Sequence, residues 1–200
     1  SNEVFLLSCD LSASGSVAVP QYFATPTPGR ANVSGALDVV ARPRLSHIRG
    51  LYDAPFTLTL SCDTPGATIR YTTDGTKPTE GSGYTYTGPM TISSTTCLRI
   101  GAFRPGWMPC ELQAHTYIFP GQVLSQSNRP PGFPTTWGST APDYEMDPDI
   151  VNNATYRSQL PAALKSLPTM SLVMNLDDLF GANGIYMNWG SSGSAWERPG

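Results

Sequence analysis

Phe56-Thr57-Leu58-Thr59-Leu60-Ser61-Cys62 and Ala67-Thr68-Ile69-Arg70-Tyr71-Thr72 decide the fold of this chain. Both runs alternate apolar and polar residues with period two, the spacing of a strand that buries one face. Phe56, Leu58, Leu60 and Cys62 share a face of the first run. Ile69 and Tyr71 face inward on the second, leaving Thr68, Arg70 and Thr72 outward. Asp63-Thr64-Pro65-Gly66 turns between them, and Asp74-Gly75, a pair that tolerates left-handed backbone, closes the second. Further along, Met90–Ser93 reads as a short strand and Cys97–Phe103 as a longer one with Leu98, Ile100 and Ala102 inward. Arg104-Pro105-Gly106 then turns the chain into a last strand near Leu112–Phe119. Short strands at regular turn spacing over about 75 residues predict a β-sandwich of immunoglobulin-like type at 43–119.

The flanks read differently. Residues 1–32 carry a short apolar run, Val4–Leu7, and an extended Phe23–Asn32 tail in which Pro26 and Pro28 prevent a helix. Residues 33–42 are expected to be a linker. Residues 120–166 open with a proline-rich, aperiodic linker and continue into a helical stretch. Asn153 is its expected N-cap, and Pro161 should kink it or split it in two. Beyond 167, Thr169–Met174 and Gly184–Asn188 read as strands and Asp177–Phe180 as a helical turn. The fold class is therefore mainly β: one sandwich with an extended N-terminal segment and a small α+β portion at 167–200.

Composition narrows the functional classes. A net charge of −3, with no basic stripe, gives no footprint for a phosphate backbone, so nucleic acid is not an expected partner. No apolar run reaches the roughly 18 residues of a membrane helix. Cys9, Cys62, Cys97 and Cys110 form no CxxC, and His47 and His115 sit in no metal-ligand spacing. Neither histidine accompanies a Gly-x-Ser-x-Gly elbow, so no hydrolase triad, no catalytic residue and no cofactor are assigned. An even cysteine count with few lysines fits an exported, extracellular or cell-surface protein.

The string Cys62-Asp63-Thr64-Pro65-Gly66-Ala67-Thr68-Ile69-Arg70-Tyr71-Thr72-Thr73-Asp74-Gly75-Thr76-Lys77-Pro78-Thr79, followed by Tyr86-Thr87-Gly88-Pro89-Met90-Thr91-Ile92, resembles the chitobiase/β-hexosaminidase C-terminal-type domain. That resemblance implies an immunoglobulin- or fibronectin-like accessory module without catalytic residues. Phe23–Asn32 is similar to the close of a bacterial lamin-tail domain. Leu167–Met174, Asp178-Leu179-Phe180, Gly184-Ile185-Tyr186 and Ala195-Trp196-Glu197-Arg198-Pro199 resemble the opening of a CotH-type, kinase-like domain whose nucleotide- and metal-binding residues are expected beyond Gly200. Together these imply a piece of a large bacterial surface protein. Its expected role is a non-catalytic structural or interaction module whose partners are neighbouring domains and a surface glycan or protein. The alternatives are a carbohydrate-binding accessory module, or the N-terminal part of a CotH-type kinase.

Three groups of residues are candidate sites. Asp143, Glu145, Asp147 and Asp149 alternate in the manner of loop ligands for calcium, against the plainer reading of a solvated acidic stretch without EF-hand spacing. Trp107, Tyr84 and Tyr86 are candidate glycan contacts, since a flat ring stacks on a pyranose face; the plainer reading has Trp107 plugging the core. Cys62 and Cys110 are expected at one pole of the sandwich and Cys97 at the other, making Cys62–Cys110 the expected disulfide, with free buried thiols as the alternative.

Overall fold

The computed structural model describes Phe5–Leu6, Tyr22–Phe23 and residues 35–198. β1 (Phe5–Leu6) pairs antiparallel with β2 (Tyr22–Phe23). The rest of the N-terminal tail, including the lamin-tail-like residues after Phe23, and Cys9 lie outside the described residues.

The centre of the chain is the expected sandwich. Its strands are β3 (Arg44–Leu45), β4 (Gly50–Leu51), β5 (Phe56–Leu58), β6 (Leu60–Ser61), β7 (Thr68–Thr72), β8 (Tyr84–Thr85), β9 (Met90–Ile92), β10 (Thr96–Phe103) and β11 (Gln113–Ile118). One sheet has the order β4-β11-β10-β7-β8, antiparallel throughout except for the parallel β4–β11 pair. The opposing layer is built on the first deciding run: β5 pairs with β9 and β6 with β3. The run breaks at Thr59, whose carbonyl accepts the Ser46 N–H (3.0 Å) while its own N–H donates to Ser46 Oγ (2.9 Å).

Period-two alternation sets the core. Leu98, Ile100 and Ala102 of β10 are wholly buried with Leu58, Tyr117, Ile69 and Ile92. Tyr117 satisfies its hydroxyl by donating to the His47 carbonyl at 2.9 Å, and burial pushes its pKa well above the ordinary tyrosine value. Residues 35–42, expected as a linker, add a strand-like edge. Leu37 and Val40 N–H groups donate to the Gly106 and Met108 carbonyls (2.9 Å each), and Met108 N–H donates to Asp38 O (2.7 Å). Val40, 2% exposed, belongs to the core.

The outer face of the larger sheet departs from expectation. Alternation sends Arg99, Gly101 and Phe103 outward, yet all three are buried. The Leu112 side chain lies over Gly101, where a Cβ would stand 2.5 Å from Leu112 Cδ2. The 73–83 loop folds back over β7, burying Pro78 and held by Thr72 Oγ1 donating to Thr76 O (2.5 Å).

After β11 come α1 (Pro120–Val123), α2 (Pro148–Val151), α3 (Ala154–Arg157), α4 (Leu160–Ser166), α5 (Leu176–Phe180) and a single 3-10 turn at Ser194–Trp196. Asn153 caps α3 through its side-chain oxygen (Thr155 N–H, 2.9 Å), and Pro161 stands at the start of a separate α4, so the helical stretch is split. The proline-rich segment is packed: Trp137 donates to Tyr144 Oη (2.8 Å), which donates to Pro134 O (3.0 Å), and Trp137 stacks on Phe180 at 6.2 Å. The expected strands at Thr169–Met174 and Gly184–Asn188 are absent. The first has no assigned secondary structure and no ladder partner, and the second is a series of turns whose Ile185 and Tyr186 N–H groups donate back to Asp178 and Leu179 carbonyls. Among the described residues no helix is long and apolar enough to cross a membrane.

Candidate functional site

The three aromatic candidates occupy different surroundings. Trp107 is half-buried against the core, with the Arg104 guanidinium 4.3 Å from its ring centroid, a cation–π contact that covers one face. Tyr86 is also packed against the core, and its hydroxyl accepts the Leu60 N–H at 3.0 Å. Tyr84, on the edge strand β8, is 64% exposed and tilts against Tyr71, its register partner, with centroids 5.5 Å apart. The three therefore make no common platform; Tyr84 with Tyr71 beneath it is what remains.

The acidic residues do not converge. Asp147 caps α2, its Oδ1 accepting the Asp149 N–H at 2.8 Å. Among the described residues no group of three or more His, Cys, Asp or Glu side chains is placed to hold a metal. Asp74 is likewise a turn residue: it accepts from Thr76 Oγ1 (2.7 Å) and Thr76 N–H (3.0 Å), which hold its carboxyl below the usual range, and Gly75 follows at φ +83°.

The expected Cys62–Cys110 bridge is not present: both are free thiols, as is Cys97. Each sulfur is turned to a backbone carbonyl instead, Cys62 Sγ to Ala41 O at 3.2 Å and Cys110 Sγ to Ala102 O at 3.7 Å. Burial raises the Cys110 thiol, with the neighbouring Cys62 adding to the shift. Cys97 is raised by burial too, on the outer face beside Thr116. Buried, protonated thiols of this kind are poor nucleophiles.

His115 is a packing histidine. Its Nδ1 accepts the Arg49 N–H at 3.3 Å and its Nε2 meets Gln113 Oε1 at 3.3 Å, which fixes the neutral tautomer with hydrogen on Nε2. Burial lowers its pKa, and the charge of Arg49 lowers it further.

What sequence reasoning missed is the outer face of the larger sheet. Arg99 is 6% exposed, donates weakly to the Gly75 carbonyl (3.4 Å), and has a buried Nε without a hydrogen-bond partner. Arg70, two residues along in register, has the same orphan Nε and donates to Gly83 O at 3.2 Å. Neither they nor Arg49 belong to an ion pair among the described residues. Beside them a groove of about 720 Å³ opens between β4–β11 and the 167–173 segment. Ala114, Thr116 and Ile118 form its floor, and Arg49 is the one charged residue lining it. Phe103 on the supposedly solvated face was the available signal that something covers it.

The fold and its surface thus define a β-sandwich module with one covered face. Residues 49–111 match the family model of the chitobiase/beta-hexosaminidase C-terminal domain. No curated protein and no solved structure matches the chain.

Proposed function

We propose that this chain is a non-catalytic structural and interaction module of a secreted or cell-surface bacterial protein of several domains. The observation that carries the reading is the coincidence of the 49–111 match with the strands of the sandwich. A domain that stands at the C-terminus of chitobiase or β-hexosaminidase is an appendage to a glycosidase, and the same role suits this one. Its interior is filled by side chains, and its histidines and thiols are spent on packing. The Phe23–Asn32 and Leu167–Pro199 resemblances support placing the sandwich between a lamin-tail-like domain and a CotH-type domain, with the kinase chemistry residing outside this segment. The purified chain is expected neither to cleave N-acetylglucosamine oligomers nor to bind ATP by calorimetry. Stoichiometric ATP binding or turnover would overturn the reading.

Tyr84 supports a second reading, glycan binding, because it presents an open ring at the sheet edge. A glycan array decides it: binding lost in Tyr84→Ala supports a sugar contact there, and binding unaffected by that change removes it.

A further inference from the structure

Residues 169–174 lie over the outer face of the larger sheet without joining it. Among the described residues, none of their backbone N–H or C=O groups makes a hydrogen bond. Thr169 to Leu172 are all exposed, Met170 at 83% and Leu172 at 79%. Two side chains fasten the segment. Ser171 Oγ lies 2.6 Å from Thr116 Oγ1 on β11, an exposed hydroxyl pair. Val173, half-buried, packs over Gly75 of the 73–83 loop. The ends are anchored separately. At one, α4 is tied to the sandwich by the Lys165–Asp53 ion pair. At the other, Phe180 of α5 stacks on Trp137 and tilts against Tyr186.

Beneath the two fastenings lies a thiol. Cys97 is the register partner of Thr116, the residue that Ser171 holds. A Cβ on Gly75 would stand 3.4 Å from Cys97 Sγ and 3.8 Å from Val173 Cγ1, so the thiol and the valine meet the same glycine. Segments that bury little apolar surface and give no backbone bond to their neighbours open locally at small cost, while packed strands stay shut. An exposed hydroxyl pair adds little, because water replaces either partner. We propose that 169–174 is a detachable strap, which lifts from the sheet while the sandwich stays folded and whose closed position limits access to Cys97 and to the groove floor of Ala114, Thr116 and Ile118. The inference is independent of the module reading, since ATP binding or turnover would leave it standing.

The test is iodoacetamide labelling of the whole 200-residue protein under native conditions, with Cys97 and Cys110 quantified separately by peptide mass spectrometry. Cys110 is 7% exposed in the core and reports opening of the sandwich itself. Ser171→Ala alters the strap alone and should speed labelling of Cys97 by about two- to tenfold, the worth of one modest hydrogen bond, at unchanged apparent thiol pKa. Val173→Ala should speed it at least as much, and neither change should move Cys110. Thermolysin cuts before bulky apolar residues, so within 35–198 its first cut should fall before Met170, Leu172 or Val173, and sooner in both variants. Acceleration of Cys97 and Cys110 together would show the whole sandwich loosening and overturn the strap. Cys97 labelling indifferent to both variants overturns it as well, as does a first cut elsewhere in 35–198.

Discussion

Val40→Ala tests whether residues 35–42 belong to the sandwich. Val40 is 2% exposed and sits in the core cluster, while its N–H is held by the Met108 carbonyl. The substitution removes two buried methyl groups, about 1.6 kcal/mol at ~0.8 kcal/mol per group. The unfilled space adds to this, because a core pinned by two sheets collapses poorly, and the total should be about 2–3 kcal/mol. Leu37→Ala is the control: Leu37 makes the same kind of backbone bond but is 54% exposed, so its loss should stay below about 1 kcal/mol. Urea denaturation followed by tryptophan fluorescence reads both. With a slope of about 1–3 kcal/mol per molar, Val40→Ala should lower the midpoint by roughly 1 M or more with the slope unchanged. Equal, small shifts for the two variants would refute the reasoning and return 35–42 to the status of a linker.

Gly83→Ala should cost about 1–3 kcal/mol, because Gly83 has φ +87° and a Cβ there would meet the Tyr71 carbonyl at 2.8 Å. Gly66→Ala, at φ +72° with open space around it, should cost less, and equal Tm losses would show that the clash is not felt. His115 has its pKa lowered by burial, so its contribution is fully present above the ordinary value near 6.5 and is lost as pH falls through the lowered folded value. Tm should therefore be unaffected by His115 from pH 8 to about 6.5 and fall below it, and His115→Gln should flatten that fall; an unchanged fall would assign it elsewhere. Arg99→Met should leave stability unchanged or raise it, since it replaces a buried, unpaired charge by an apolar chain of similar length. A loss above about 2 kcal/mol would mean that the bond to Gly75 O outweighs the burial of the charge.

Where one residue type and one spacing settle the matter, the sequence was enough. Period two around Leu58, Ile69 and Leu98 fixed both layers and their inward faces, Asp74-Gly75 fixed a turn, and Asn153 with Pro161 fixed a capped helical stretch interrupted at the proline, which the structure splits in two. Residues 35–42 were not legible because one buried valine in eight residues carries no periodicity. Its place follows from a parallel pairing with residues far along the chain, Val39 opposite Met108. The cysteines failed for a related reason. Strand order placed Cys62 and Cys110 close enough to influence each other, but the direction of each sulfur is set by the carbonyl it meets, Ala41 or Ala102. Tyr84, Tyr86 and Trp107 separated on the same principle, since loop and edge positions do not say which way a ring lies.

The outer face shows how a correct strand reading can mislead about a surface. Alternation sends Arg99 out of the core, and an outward arginine on an ordinary two-layer sandwich meets water. Here the 73–83 loop covers that side of the sheet, through the buried Pro78 and the Thr72–Thr76 bond, and 169–173 lies along β11. Both coverings come from segments with no strand pairing of their own, so neither leaves a periodic trace. What they enclose is cationic and unpaired, and what they leave open is a groove lined by one charge. A face built merely to be hidden is better served by an apolar side chain at Arg99, because a buried guanidinium without a carboxylate destabilises the fold that holds it.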